Sequence, residues 1–291
     1  MMSQTMNQTT TMHLSESPNI FALLSRAALP KKPSDTIAIP ELSVDLKGIK
    51  TDPTLLKEYS RVCGFKLKPR LPSTLPHIMA FPLHMKLLTN NKFPLPLLGL
   101  VHYKNSITQH RPLNINEVFD MQCQLTNSHK TDMGIKFDIV STVTVGKKVV
   151  WEETSTFLHR SKKKTVNSQK TRKTLPHYDN TESWKLAASL GRQYAKVSND
   201  FNLIHLFAWS AKAFGFNRAI VHGMWSKTRC IAALTETLGD KAFKVDVNFK
   251  LPIFLPSSVL FNWQKANDTI NFQLLDKNRT KPHLSGKITL L

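Results

Sequence analysis

Asp200, Asn202 and His205 combine residue types that can perform acid–base chemistry within a short stretch of chain. A carboxylate and an imidazole five residues apart, one in a turn and one at the opening of a helix, can reach one shared water molecule. The Asn202 amide between them can orient the loop or one of the two groups through side-chain hydrogen bonds. The set is suited to activating water, although an Asp and a His at this distance also occur together by chance.

A second feature lies further along the chain, where Gly223 precedes a long apolar segment over residues 224–238. The segment predicts a helix, and the following Gly239 is typical of a helix end. A helix N-terminus presents unpaired N–H groups, and a glycine there allows a ligand to approach closely. The Gly223 amide is therefore a candidate donor to a developing oxyanion. We interpret His222 as a helix cap or a packed residue rather than a catalytic group.

Together the two features resemble the signature of the MaoC-like dehydratases and (R)-specific enoyl-CoA hydratases. The matching segments read Tyr-Ala-Lys-Val-Ser-Asn-Asp-Phe-Asn-Leu-Ile-His over residues 194–205 and Ile-Val-His-Gly-Met over residues 220–224. Asn199 stands where the family usually has Gly, and Leu203 stands where it usually has Pro. Asn accepts positive φ, so the first change is mild. The loss of Pro should loosen the turn that presents Asp200.

The resemblance implies an enzyme of fatty acid metabolism that reversibly hydrates trans-2-enoyl thioesters to (R)-3-hydroxyacyl thioesters. The substrate would be carried by CoA or by an acyl carrier protein. Asp200 and His205 would activate the water, Asn202 would orient this pair, and the Gly223 amide would hold the oxyanion. Lys250, beside a Pro-containing turn, could contact a phosphate of the substrate. No metal and no organic cofactor is implied.

Two sets of predicted elements flank a basic segment near the middle of the chain, and both follow the order of helices and then four strands. The helical patterns cover residues 53–65 and 76–89 in the first half, and 182–197, 205–214 and 224–238 in the second. The strand-like runs cover residues 98–109, 117–126, 134–145 and 148–159, and then 243–251, 259–265, 269–276 and 284–291. The predicted fold is α+β, a double hotdog in which two curved antiparallel sheets each wrap around a central helix.

The predicted domain organisation has four parts. A disordered tail over residues 1–17 precedes a degenerate hotdog over 18–160, which opens with a short amphipathic helix. A basic linker over 161–180 leads to the catalytic hotdog over 181–291. The first half lacks the Asp-x-Asn-x-x-His set, and the resemblance implies that it accommodates the acyl tail. Its histidines have no acidic neighbours in the sequence and are interpreted as core or surface residues: His77, His84, His102 and His110.

The chain of 291 residues has a net charge of +20, which predicts an anionic partner. Eight Lys and Arg residues and no acid lie between Glu58 and Glu117, and seven more basic residues lie from Arg160 to Lys173. Under the resemblance, both segments should border the thioester entrance. A catalytically weak acyl-thioester binding protein and a basic nucleic-acid-binding protein are the alternatives. The second is disfavoured because the basic block has no interleaved aromatic residues and no recognised nucleic-acid-binding motif occurs.

The cysteines and the apolar runs predict the cellular compartment. Cys63, Cys123 and Cys230 form no CxxC or Cys/His pattern, so they predict buried, reduced thiols rather than disulfides or a zinc site. The apolar run over residues 75–101 is interrupted by Pro, His and Lys and does not predict a membrane span. No secretory signal is recognisable. We therefore expect a cytoplasmic protein, either a monomer or a dimer of double hotdogs.

Overall fold

The computed structural model describes residues 10–27, 39–97, 99–160 and 175–291. The elements of the first half are β1 (Thr10–Leu14), α1 (Ile20–Ala27), β2 (Leu42–Ile49), α2 (Pro53–Cys63), α3 (Leu75–Leu88), β3 (Leu100–Gln109), β4 (Phe119–Thr131), β5 (Gly134–Val145) and β6 (Lys148–Arg160). Those of the second half are β7 (Asn180–Leu186), α4 (Leu190–Ser198), a 3-10 turn (Leu203–His205), α5 (Ala208–Lys212), α6 (Gly223–Leu238), β8 (Phe243–Phe249), β9 (Ser257–Ala266), β10 (Thr269–Asp276) and β11 (Pro282–Leu290).

The described strands form one eleven-stranded sheet in the order β1-β2-β4-β5-β6-β3-β8-β11-β10-β9-β7. The order β2-β4-β5-β6-β3 in the first half repeats as β7-β9-β10-β11-β8 in the second, which confirms the predicted duplication. The two halves meet through the antiparallel pair β3–β8, where Ile107 lies opposite Val245. The predicted pair of sheets is therefore joined edge to edge, and neither β3 nor β8 is left as a free edge.

Each half of the sheet covers one long helix. In α3, 11 of the 14 residues are buried, which is why its apolar residues show no one-sided pattern. In α6 the buried side chains are interrupted by partly exposed ones, and the helix ends at Gly239, as predicted. A continuous apolar core runs from Leu42 in β2 to Ile288 in β11. The N-terminus of α6, with Gly223, is thus held by packing on the sheet.

Three segments differ from the predictions. Residues 182–189 were assigned to a helix, but Asn180–Leu186 form the edge strand β7, in which buried Trp184 and Leu186 alternate with exposed residues. The prediction of a disordered tail over residues 1–17 is wrong for Thr10–Leu14, which form the strand β1. Its side chains are mostly polar, and backbone pairing with β2 holds it in place. Strand Leu42–Ile49 was not predicted at all. Residues 1–9 and most of the predicted linker, 161–174, lie outside the described residues.

A buried polar network connects the two halves. Nδ1–H of His77 on α3 donates to the Glu153 carboxylate at 2.8 Å, and the Asn105 amide donates to the same carboxylate at 2.6 Å. The ammonium group of Lys227, on α6, in turn donates to Asn105 Oδ1 and to the carbonyl oxygen of Val245 at 3.2 Å. This chain of contacts spans α3, the seam between β3 and β8, and α6.

The network bears on the histidine predictions. His77 has an acidic partner after all, Glu153, which is distant in the sequence. His84 bonds Ser141 Oγ at 2.7 Å, and burial lowers the pKa of His84 to about 4. His110 lies at the surface beside Glu152. These three are core or surface residues, as interpreted. His102 is stacked on an aromatic ring 4.8 Å away, and its Nε2 is buried without a hydrogen-bond partner among the described residues.

The predictions about cysteines and membrane spans agree with the structure. Cys63, Cys123 and Cys230 are buried free thiols. Burial raises the pKa of Cys123 to about 12, which keeps this thiol protonated. Among the described residues, no helix combines the length and the apolar character that a membrane crossing needs.

Candidate active site

The first part of the site is the turn that follows α4. The helix ends at Asn199, which adopts φ of 59°, a left-handed conformation that Asn tolerates better than most residues. Ser198 supports the end of the helix, because its hydroxyl donates to the carbonyl oxygen of Tyr194 at 2.8 Å and accepts the Asp200 N–H at 3.3 Å. The turn is therefore formed with Asn in the position where glycine was expected, and it presents Asp200.

Asn202 stabilises the next turn. Its backbone N–H donates to Asp200 Oδ1 at 3.2 Å, and its side-chain Oδ1 accepts the N–H of Ile204 at 3.4 Å. The second bond caps the 3-10 turn that ends at His205. Asn202 is thus bonded to the Asp200 carboxylate on one side and to the His205 turn on the other, and these contacts support the predicted orienting role.

His205 is held in one tautomer. Its Nδ1–H donates to the carbonyl oxygen of Ile220 at 2.7 Å, and because a carbonyl can only accept, Nδ1 carries the proton. The N–H of Ile220 donates to the carbonyl oxygen of Ile204 at 3.0 Å, which aligns the two segments. Burial lowers the pKa of His205, and the Asp200 carboxylate only partly offsets this. The ring is therefore neutral at pH 7, with a lone pair on Nε2 available to accept a proton.

The carboxylate and the imidazole lie close together. A carboxylate oxygen of Asp200 and a ring nitrogen of His205 are within 4.8 Å of each other. One water molecule bridges such a gap with two ordinary hydrogen bonds of about 2.8 Å each. The structure therefore brings together the two residues that the sequence predicted as a water-activating pair.

The first turn of α6 lies beside this pair. Gly223 is the first residue of the helix, and His222, just before it, is 3.0 Å from the Asp200 carbonyl oxygen. The first N–H groups of a helix have no partner within the helix, so the Gly223 amide is free of the helical ladder. A side chain at Gly223 would meet the Phe249 ring at 3.2 Å. The absence of a side chain therefore lets Phe249 pack directly against the start of α6.

Comparison with known proteins identifies the family. Residues 162–287, which contain the complete Asp200, His205 and Gly223 set, match the family model described as the MaoC-like domain. The second half of the chain therefore carries a MaoC-like domain. The 3-hydroxyacyl-thioester dehydratase X of Mycobacterium tuberculosis is 29% identical over 266 residues, which cover 90% of this chain and 93% of that protein.

Solved structures of MaoC-like proteins show the same fold. The crystal structure of HtdX from Mycobacterium tuberculosis has a TM-score of 0.75 and 27% sequence identity, and the match covers 86% of this chain and all of that one. A MaoC-like dehydratase from Phytophthora capsici has a TM-score of 0.71 and 18% identity over 88% of this chain and 96% of its own. The fold is therefore the double hotdog that the sequence predicted.

His222 is the residue of the MaoC-like site that sequence reasoning missed. Its ring stacks on the His205 ring with 3.7 Å between centroids, and its Nε2–H donates to the carbonyl oxygen of Asp200. Burial and the neighbouring His205 lower the pKa of His222 to about 3, so it is neutral. His222 therefore braces both members of the pair rather than capping α6, whose N-terminus receives no side-chain hydrogen bond from it. The His-Gly-Met motif contained the signal, because it places His222 beside Gly223.

Three potential metal-ligand groups lie together at the site. Donor atoms of Asp200, His205 and His222 lie within 4.8 Å of one another. The two imidazole rings are stacked with their planes at 26°, and Nδ1 of His205 and Nε2 of His222 already donate to backbone carbonyl oxygens. Each ring therefore keeps one nitrogen that is not bonded to the backbone.

Lys250 and four cations of the first basic segment do not gather at the MaoC-like site. Lys250 follows β8 with an exposed side chain, which makes no hydrogen bond to Asp200, His205 or Gly223 in the described structure. Cations of the first half lie instead around the C-terminal end of α6, where they line two pockets with Asp240: Lys66, Lys68, Arg70 and Arg111. A helix of 16 residues is about 24 Å long, so these cations lie far from Gly223.

The expectation that the segment between Glu58 and Glu117 borders the thioester entrance is therefore wrong for these four cations. Two of them are paired with acids of the second half, Lys66 with Glu236 at 3.0 Å and Arg70 with Asp240. The opposite charges connect the halves at that end of α6. In the second basic block, all residues after Arg160 lie outside the described part of the chain.

Gly191 gives a prediction about how His205 is positioned. A Cβ atom at this residue of α4 would overlap the carbonyl oxygen of His205, which is backbone and cannot swing aside. We expect Gly191→Ala to displace the His205 turn, to lower kcat/KM for enoyl-thioester hydration at least tenfold, and to destabilise the protein by about 1–3 kcal/mol. The measurements are steady-state kinetics and thermal unfolding. Gln193→Ala, at an exposed position of the same helix, is the control and should change neither. Wild-type kinetics in Gly191→Ala would show that the contact does not position His205.

Proposed function

We propose that this MaoC-like protein is a hydro-lyase that interconverts trans-2-enoyl and (R)-3-hydroxyacyl thioesters. The observation that carries the proposal is the pairing of Asp200 with a neutral His205 beside the free first-turn amide of α6. The name of the curated relative, a 3-hydroxyacyl-thioester dehydratase, supports the reaction class. The (R) configuration rests on the family signature over residues 194–224.

In the hydration direction, Asp200 and His205 hold one water molecule between them. His205 Nε2 accepts a proton from this water while the water oxygen forms a bond to Cβ of the enoyl group. The Asp200 carboxylate accepts a hydrogen bond from the second O–H of the water, which stays on the oxygen and becomes the product hydroxyl, and this bond fixes the direction of attack. His222 stacks on His205 and bonds Asp200, so it keeps the two groups at their working separation.

Bond formation at Cβ moves the electron pair of the double bond towards the thioester carbonyl, where negative charge collects on oxygen. The Gly223 N–H and the positive end of the α6 dipole stabilise that charge. The proton held by His205 then passes to Cα as the enolate collapses. Hydroxyl and hydrogen both come from the side of the Asp200–His205 pair, so the addition is syn. Dehydration follows the same steps in reverse.

The substrate is an acyl thioester carried by CoA or by an acyl carrier protein. We expect its acyl tail to extend towards the first half of the chain, whose strand β3 lies close to Gly223. Phe249 covers Gly223, and its ring centroid is 5.0 Å from that of His102 on β3. We further expect the enzyme to act in the cytoplasm without a metal or an organic cofactor, as a monomer or a dimer of double hotdogs, with Lys250 available to a phosphate of a bound carrier.

A panel of trans-2-enoyl-CoA substrates from C4 to C16 tests the proposal. We expect hydration of part of this series, with only the (R)-3-hydroxyacyl product found by chiral chromatography after thioester hydrolysis. Loss of the enoyl absorbance measures the rate. An (S) product, or no turnover at any chain length, would refute the assignment.

A catalytically silent acyl-thioester binding protein is the second candidate. It was prompted by Asn199 and Leu203, the two departures from the family pattern. The structure gives no support to this alternative, because Asn199 ends α4 in the required conformation and the Asn202 side chain caps the turn in which Leu203 replaces proline. Thioester binding without any turnover would favour it.

A further inference from the structure

An exposed apolar patch lies beside the catalytic turn. Trp209 is 72% exposed, Leu203 is 47% exposed and Phe207 is 41% exposed, and all three lie within seven residues of chain. We call Leu203, Phe207 and Trp209 the entrance patch. Single exposed apolar side chains are common in soluble proteins, but a group of three with an indole among them marks an interaction surface.

The entrance patch is part of the same local structure as the catalytic pair. Leu203 opens the 3-10 turn that ends at His205. The rings of Phe207 and Trp209 are stacked 5.7 Å apart, and α5, which carries Trp209, packs against that turn. A partner bound to the patch would therefore be next to the water-activating pair.

A third exposed aromatic residue contacts the same turn next to Asp200. Phe21, which is 65% exposed on α1, packs on Phe201 with 5.8 Å between ring centroids. Helix α1 itself is anchored in the first half, where Ile20 and Leu23 pack with Met85 of α3. Exposed apolar side chains from both halves of the protein thus contact the catalytic turn.

The surroundings of the entrance patch are cationic. The guanidinium group of Arg192 lies over the Phe207 ring at 4.8 Å, and exposed Lys212 ends α5 three residues after Trp209. The one acid of the sequence between Glu182 and Glu236 is Asp200, which belongs to the catalytic turn itself. An apolar centre with a charged rim is the usual composition of a protein–protein interface, and the sign of this rim selects an acidic partner.

We propose that the entrance patch is the docking surface for an acidic acyl carrier protein that delivers the enoyl thioester. This proposal rests on the proposed function and names the carrier of its substrate. CoA phosphates would use the cations, but they would leave Leu203 and the exposed Phe21 without a partner. A lipid surface or a second copy of the chain seated on the patch would cover the turn through which the thioester must reach Asp200 and His205. A carrier protein fits both the chemistry and the location.

The test compares one acyl group on three carriers. The substrates are trans-2-octenoyl thioesters of an acidic type II acyl carrier protein, of CoA and of free pantetheine. We expect kcat/KM for the carrier-protein substrate to exceed that for pantetheine about tenfold or more at low salt, and the advantage to shrink as salt screens the cations. Trp209→Ala and Lys212→Glu should each raise the KM for the carrier-protein substrate about tenfold. Their kinetics on the pantetheine substrate should change less than twofold.

Val149→Ala and Lys147→Glu are matched controls, because these exposed residues lie at the β5–β6 turn, and both should behave as wild type on all three substrates. Hydration of the CoA and pantetheine thioesters without a carrier-protein advantage, or equal effects of Trp209→Ala on all three, would overturn the docking proposal and leave the reaction standing. No turnover of any thioester would instead overturn the proposed function. Binding to acidic vesicles, or self-association, that is lost in Trp209→Ala without a change in carrier-protein KM would assign the patch to a membrane or to a second copy.

Discussion

Asp200→Asn is expected to lower kcat/KM for enoyl-thioester hydration by about 10³-fold, within the range that a positioned acid–base group contributes. The amide keeps an oxygen that can accept the Asn202 N–H, which the Asp200 carboxylate now accepts at 3.2 Å, so the turn should persist. The amide lacks the negative charge that orients the attacking water and balances the proton on His205. Kinetics on a preferred enoyl-CoA, with thermal unfolding as the check on folding, measure the effect.

His205→Ala should lower kcat/KM by about the same factor. The effects of His205→Ala and Asp200→Asn on kcat/KM should not add in the double variant, because in the proposed mechanism both groups act on one water. His205→Gln provides a second variant in case the buried cavity left by alanine unfolds the turn. The wild-type pH profile should fall on its acid side below pH 6.5, since burial lowers the pKa of His205 and protonation removes the base. This acid limb should be absent from the residual activity of both His205 variants.

His110→Ala is the matched control for these variants, because His110 is an exposed histidine whose partner is Glu152 at the surface. It should retain wild-type rates and the wild-type pH profile. Full activity in a folded Asp200→Asn or His205→Gln variant would remove the pair from the mechanism. Activity that falls only together with the melting temperature would show that the residues stabilise the turn rather than act on water.

The sequence predicted the parts of the fold that depend on local patterns. The meander strands β5 and β10 begin and end at the residues expected, because alternating apolar side chains and turn residues are properties of short segments. Strand β7 was assigned to a helix because its alternation is short and runs without a break into α4. Strand β1 was not predicted because what holds it is its ladder to β2, a pairing across the fold that no local pattern encodes. Strand β2 does carry a local signal that was missed, since buried Leu42, Val44 and Leu46 alternate with polar residues.

The features of the site that could be predicted from the sequence are also those that depend on local spacing. Asp200, Asn202 and His205 lie in one turn, so their spacing was enough to predict that they meet. The stacking of His222 on His205 depends on the bond between Ile220 and Ile204, which joins two separate segments. The distance of Arg70 from the site likewise depends on which end of α6 it packs against. Local spacing predicts a turn, whereas contacts between segments follow from the packing of the whole sheet.

Glu153→Ala is expected to lower the free energy of unfolding by about 3–5 kcal/mol, the loss found when one partner of a buried ion pair is removed. Glu153 is the one carboxylate in the network that joins the halves, and its side chain is fully buried. Burial alone would raise the pKa of Glu153, but the adjacent His77 and the Asn105 amide outweigh it and lower the pKa to about 2. Without this carboxylate, His77 and Asn105 lose their buried acceptor, and Lys227 loses one of the two acids, the other being Asp246, that raise its pKa.

The pH dependence of stability gives the same prediction a second measurement. The folded-state pKa of Glu153 lies below its ordinary value of 4.5, so its contribution is present above pH 4.5 and is lost as the pH falls towards 2. Urea unfolding of wild type and Glu153→Ala should therefore show a difference in the free energy of unfolding that narrows as the pH falls below 4.5. Glu153→Gln, which preserves the volume but not the charge of the side chain, should show most of the decrease in the free energy of unfolding that is expected for Glu153→Ala.

Glu152→Ala is the control that compares the buried Glu153 carboxylate with a carboxylate at the surface. Glu152 is the next residue of β6, but its side chain is 48% exposed and it pairs with His110 at the surface, where such pairs contribute about 0–1 kcal/mol. If Glu152→Ala and Glu153→Ala destabilised the protein equally, or if Glu153→Gln were as stable as wild type, the charge would not be what holds the network together. A large loss confined to Glu153 would show that the first half is joined to the second through a buried polar network that depends on this charge, because Lys227 of the network lies on α6, one helical turn from Gly223.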